Sequence, residues 1–167
     1  MALVSNAAWQ QRVAALPVES FDAGAAVFTE GTKTGRLLVL KSGEVGISKN
    51  GTAIARVAEP GAVFGELSAL LDLPHTADVH ALERCEFHVA AAADLLNDPA
   101  ALLFVTTVLA QRVVGANAAL IELKQQIEAG APPGLLEATA DKIVGMLSAI
   151  GSGYIRAGAG ITGYPFQ

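Results

Sequence analysis

Basic clusters, cysteine pairs and long apolar runs are all missing from this 167-residue chain, and each gap removes a class of function. The single cysteine, Cys85, excludes an intrachain disulfide and a four-cysteine zinc or iron–sulfur site. No uninterrupted apolar run of about 18 residues occurs, so no segment is expected to span a bilayer. The opening MALVSNAAWQQR lacks a basic start followed by an apolar core, and no secretory signal is expected. The 11 Lys and Arg are scattered and outnumbered by 16 Asp and Glu, for a formal net charge of −5. Gripping nucleic acid needs a basic face, because phosphate neutralisation dominates that affinity. The expected setting is a reducing cytoplasm, with neither nucleic acid nor membrane as a partner.

What is present is apolar, 52% of residues by count, and it is organised in two styles. Residues 7–16, AAWQQRVAAL, read as a short helix that Pro17 ends. From Val18 to about Val89 short apolar runs alternate with glycines. LLVL and EVGIS read as strands, Lys41-Ser42-Gly43 as a turn between them, and Asn50-Gly51 as a two-residue hairpin. Many short strands at this spacing predict a β-sandwich or barrel of the jelly-roll kind. Beyond AAAADLLNDPA the period becomes helical. Pro99 suits a first turn, and Leu102 to Ile127 reads as one long helix.

On that helix Leu102, Thr106, Leu109, Val113, Ala116, Leu120, Leu123 and Ile127 alternate spacings of four and three. Such a narrow seam seeks a second helix, which predicts a parallel homodimer. After the break Gly130-Ala131-Pro132-Pro133-Gly134, a second amphipathic helix is predicted at about 135–150, with Leu136, Ile143, Met146, Leu147 and Ile150 on its apolar side. The glycine-rich segment GSGYIRAGAGITGYPFQ is expected to form a poorly ordered tail. The predicted division is 1–130 (short helix, jelly roll 18–90, long helix about 100–128) and 131–167.

Three segments resemble the cyclic-nucleotide-binding domain, the sensor half of catabolite-activator-like regulators and of cyclic-nucleotide-gated kinases and channels. They are FDAGAAVFTEG, LLVLKSGEVGIS and, most specifically, the phosphate-binding cassette PGAVFGELSALLDLPHTADVHAL. The resemblance implies a mainly β fold with flanking helices: a β jelly roll, or double-stranded β-helix, followed by a long dimerisation helix. It implies cyclic AMP or cyclic GMP as ligand and no cofactor. It also places Phe64, Gly65, Glu66 and Leu67 at the mouth of a short helix, with Gly65 admitting the ligand close to backbone and Glu66 accepting from the ribose 2′-hydroxyl. Thr76 and Ala77 stand at the phosphate, and Asn117 on the long helix is either near the purine or an ordinary solvent-facing helix residue. The helix-turn-helix that follows in catabolite-activator-like regulators has no counterpart in the pattern of residues 131–167.

His75 departs from the family pattern, which has arginine there. Histidine is shorter, cannot form a fork, and is mostly neutral at neutral pH. Losing a charge-assisted hydrogen bond costs about 1.5–3 kcal/mol, so nucleotide binding is expected to be weakened, and to strengthen as the pH falls toward 6. The leading expectation is a regulatory module, not an enzyme, with no catalytic residues, acting by ligand-linked movement of its C-terminal helices on an unknown protein partner. One alternative is a ligand-free structural dimer whose pocket is closed by bulky residues such as Leu71 and Leu73. Another is a haem-based gas sensor. For that, His80 and His88 would share one face of a strand-like run while Cys85 points away, which is not convergent ligand geometry, so no metal is expected.

Overall fold

The computed structural model describes residues 6–148. The first helix, α1 (Asn6–Ala14), is followed by eight strands: β1 (Val18–Phe21), β2 (Ala26–Phe28), β3 (Arg36–Ser42), β4 (Val45–Lys49), β5 (Thr52–Val57), β6 (Val63–Phe64), β7 (Asp78–Ala81) and β8 (Cys85–Ala91). A short helix, α2 (Glu66–Leu71), interrupts them between β6 and β7. Helices α3 (Ala92–Leu96), α4 (Pro99–Glu128) and α5 (Pro133–Ser148) complete the order. The strands form two antiparallel four-stranded sheets, β1-β8-β3-β6 and β2-β7-β4-β5. This is the jelly roll with flanking helices and a long C-terminal helix that the strand spacing predicts.

Local chemistry sets the corners. Asn50 and Gly51 both take positive φ, 50° and 76°, between β4 and β5, as a two-residue hairpin requires. Alternation then divides the core. Leu38, Leu40, Val45, Ile47, Phe64 and Phe87 point between the sheets. Leu37, Val39, Val63 and Ala90 point outward and are covered by Trp9, Phe104, Val105 and Val108 from α1 and α4. Trp9 stacks on Phe104 at 4.4 Å between ring centres, which pins α1 to α4.

The sequence places His80 and His88 on one strand-like run, but the structure separates them. A break at residues 82–84 puts His80 on β7 and His88 on β8, in different sheets. No group of three or more His, Cys, Asp or Glu able to hold a metal occurs among the described residues.

Helix α4 starts at Asp98, whose Oδ1 accepts from the amides of Ala100 and Ala101. By length and composition alone this helix is long and apolar enough to cross a membrane, as the core helix of a protein outside a membrane can also be. The strict run was broken by Gln111 and Arg112, and composition alone does not see that break. Here one face of α4, with Ala101, Val105, Val108 and Ala119, is buried against the protein. Helix α5 folds back along α4, tied by Thr139 to Gln126 and by Lys142 to Glu122. Ile143 of α5 is buried and Leu136 half-buried. The side chains of Met146 and Leu147 lie outside the described ones, as do Ile150 and the glycine-rich segment as a whole.

Candidate functional site

Between β6 and β7 the chain closes over a hollow of about 40 Å³ at the end of the roll. Phe64, Gly65, Glu66, Leu67, His75, Thr76 and Ala77 all line it, together with Phe28, Ile47, Val63, Ser68 and Val79. Asn117 is not among the lining residues; it is exposed on α4. Leu71 and Leu73 do not close the hollow either. They are 60% and 48% exposed and point away from it.

Gly65 is required by two constraints at once. Its φ is +85°, and a Cβ there would sit 2.7 Å from the carbonyl oxygen of Arg36 and 3.1 Å from the ring of Phe28. The chain thus passes tightly under β3 before α2 begins, which brings Glu66 to the floor of the site. Ser68 closes the cassette by donating to the carbonyl of Leu73 at 2.5 Å.

Glu66 is buried, and its partner is a residue that the sequence reading misses. Arg112 on α4 donates from Nη1 to Glu66 Oε1 at 3.0 Å, and the side chains of both are about nine-tenths or more buried. Burial pushes the Glu66 carboxyl above its usual range, opposed by the adjacent guanidinium, and pushes Arg112 down. The Nε and Nη2 donors of Arg112 are buried with no hydrogen-bond partner among the described residues. Two unpaired donors on a buried cation are unfavourable, and acceptors brought by a ligand would relieve them. The signal was in the sequence: Arg112 is the only charged residue between Pro99 and Ile121.

His75 is buried and held from three sides. Its ring stacks on Phe28 at 4.0 Å, its Nε2 shares a 2.9 Å hydrogen bond with Thr34 Oγ1, and its backbone amide donates to the carbonyl of Thr32. Burial lowers its pKa, so the neutral ring is favoured. Protonating the ring thus works against its surroundings in the ligand-free site. Thr76, next to it, is exposed at the rim.

Residues 18–97 match the family model described as Cyclic nucleotide-binding domain. No curated protein matches the chain. Among solved structures, the Thermus thermophilus Catabolite Activator Protein is similar at 20% identity, over 88% of this chain and 82% of that one, with a TM-score of 0.60. The N-terminal domain of a transcriptional regulator from Streptomyces coelicolor A3(2) is similar at 24% identity, over 71% and 88%, with a TM-score of 0.55. The regulatory domain of Toxoplasma gondii PKA, solved with cAMP, is similar at 20% identity over 64% of this chain, with a TM-score of 0.54. This chain spans only 43% of that protein. Likeness at these identities establishes the fold.

Proposed function

We propose that this chain, whose residues 18–97 match the family model described as Cyclic nucleotide-binding domain, is a regulatory sensor that takes cyclic AMP or cyclic GMP at residues 64–77. It performs no catalysis and passes occupancy of the site to α4 and α5. The observation that carries this reading is the buried Arg112–Glu66 pair, which joins the cassette to the long helix. A cyclic nucleotide offers the pair what it lacks. Its 2′-hydroxyl donates to Glu66, and its oxygens accept from the unpaired donors of Arg112.

The hollow as it stands has room for about three waters by volume, far below the several hundred Å³ of an ordinary ligand pocket. Entry of a nucleotide therefore requires the cassette to open, and the Arg112–Glu66 contact couples that opening to α4. Helix α5, tied to α4 through Thr139 and Lys142, moves with it and presents the change to a protein partner. Residues 1–130 act in this scheme as the sensor and α5 as the relay. A second copy of the chain covers the outer face of α4, and nucleic acid has no part.

His75 contributes shape and no charge, so binding is weak. Calorimetric titration at pH 7.5 should show heat with one of the two nucleotides. His75→Arg should tighten binding by about one to two orders of magnitude, and Glu66→Gln should weaken it in both backgrounds. Absence of heat at millimolar nucleotide from both the natural protein and a folded His75→Arg variant would overturn the sensor reading in favour of a ligand-free scaffold.

A further inference from the structure

The segment between β2 and β3 reaches the cassette from far off in the chain and clasps it around one residue. The amide of Gly31 donates to the carbonyl of His75 at 2.9 Å, and the amide of His75 donates to the carbonyl of Thr32 at 2.7 Å. Lys33 Nζ donates to the carbonyl of Asp72 at 3.1 Å. Asp72 holds a left-handed φ of 54°, which residues other than glycine rarely adopt. Thr34 completes the clasp through the 2.9 Å contact between its hydroxyl and Nε2 of His75. The ring, stacked on Phe28 and bonded at both of its own main-chain groups, therefore keeps one orientation at the wall of the hollow.

That orientation decides which nitrogen a ligand meets. Nε2 is engaged by Thr34, so Nδ1 is the nitrogen left for a molecule in the hollow. A neutral imidazole carries a single proton, and burial of His75 favours that neutral form. With the proton on Nε2, Nδ1 turns a lone pair to the site and repels an anion. With the proton on Nδ1, the same uncharged ring donates.

We infer that Thr34 holds His75 in the Nδ1–H form and so makes it a hydrogen-bond donor to an anionic oxygen of the ligand. Resting on the nucleotide reading above, this gives a positioning role to a residue outside the cassette. The amide of Arg36 selects the form. It donates to Thr34 Oγ1 at 3.3 Å, so one lone pair of that oxygen is already in use. An Nε2–H would crowd a second donor onto the same oxygen and leave the hydroxyl proton without an acceptor among the described residues. Turned toward the ring, the hydroxyl joins amide and imidazole in a chain in which each bond polarises the next. Arg36 is itself fixed, by pairing with Ala91 of β8 and by its ion pair with Glu19, so the start of that chain does not drift.

Nitrogen-15 NMR of the histidine-labelled full chain at pH 7.5 reads the tautomer with no ligand present. The His75 signals are those missing from His75→Gln, and they should show a protonated Nδ1 and an unprotonated Nε2. Thr34→Val keeps the shape without the hydroxyl and should move the proton to Nε2, while Thr34→Ser should restore the natural pattern. By calorimetry Thr34→Val should weaken cyclic nucleotide binding about tenfold or more, and Thr34→Ser should bind as the natural chain does. A threonine that served structure alone would leave the tautomer unmoved. A natural chain with its proton on Nε2 overturns the inference and leaves the sensor reading standing. A tautomer that shifts in Thr34→Val with no change in affinity overturns the link to the ligand. Absence of heat from both the natural chain and a folded His75→Arg variant overturns the sensor reading and the donor role with it, while the NMR still decides the tautomer.

Discussion

Gly65 and His75 show how single residues hold the cassette in shape. At Gly65 a side chain meets backbone and also requires a left-handed conformation, so Gly65→Ala should lower the free energy of unfolding by about 1–3 kcal/mol. Urea unfolding measures this, and an unchanged midpoint would mean that β3 yields to the methyl group. His75 gives a pH signature. Its pKa is lowered in the fold by burial, whereas in the unfolded chain it keeps a value near 6.5. The unfolded chain therefore binds more protons as the pH falls through that value, so the contribution of His75 is present above it and lost below. Glu66, raised by burial, acts in the opposite sense. His75→Gln should flatten the fall in unfolding free energy between pH 7 and about pH 5.5; an unaltered slope would show that the ring is protonated without penalty. Glycine and histidine were both legible as special in the sequence, from their places in FGELSALLDLPHTA. The state of the histidine was not, because Phe28 of β2 and Thr34 of the loop after it reach it from a distant part of the chain.

Helix α4 joins the elements of the site, and its two ends of control are separable. Asp98 caps it through Oδ1 and pairs with Arg12 of α1 through Oδ2. Asp98→Ala should cost about 1 kcal/mol of stability, seen as a lower thermal midpoint. A loss near zero would mean that Pro99 alone sets the start of the helix. In the middle, Arg112→Ala should cost about 3–5 kcal/mol, because it leaves the Glu66 carboxylate buried without its partner. Combining it with Glu66→Leu should recover much of that loss, since the unpaired charge goes with it. If the double variant is as unstable as the sum of the two single ones, the helices are not coupled through this pair. The length and start of α4 were readable from period and from Pro99. Its orientation was not: apolar residues lie on more than one side, and only the position of the roll decides which of them are buried.

At the scale of the molecule, the exposed face of α4 predicts self-association. Leu120→Asp should give monomers by light scattering at concentrations where the natural chain is dimeric. A variant that stays dimeric with intact circular dichroism would place the interface elsewhere. The run of short strands, the Asn50-Gly51 hairpin, the long helix and the cassette were determined by the sequence alone, because each depends on residues within about twenty positions of one another: a period, a turn pair, a glycine before a carboxylate. Four outcomes depended on the tertiary structure: the pairing of Glu66 with Arg112, the burial of His75, the separation of His80 from His88, and the outward turn of Asn117. Each depends on which elements meet in space. Burial and desolvation are set by neighbours from distant parts of the chain, and a linear pattern has no measure of them.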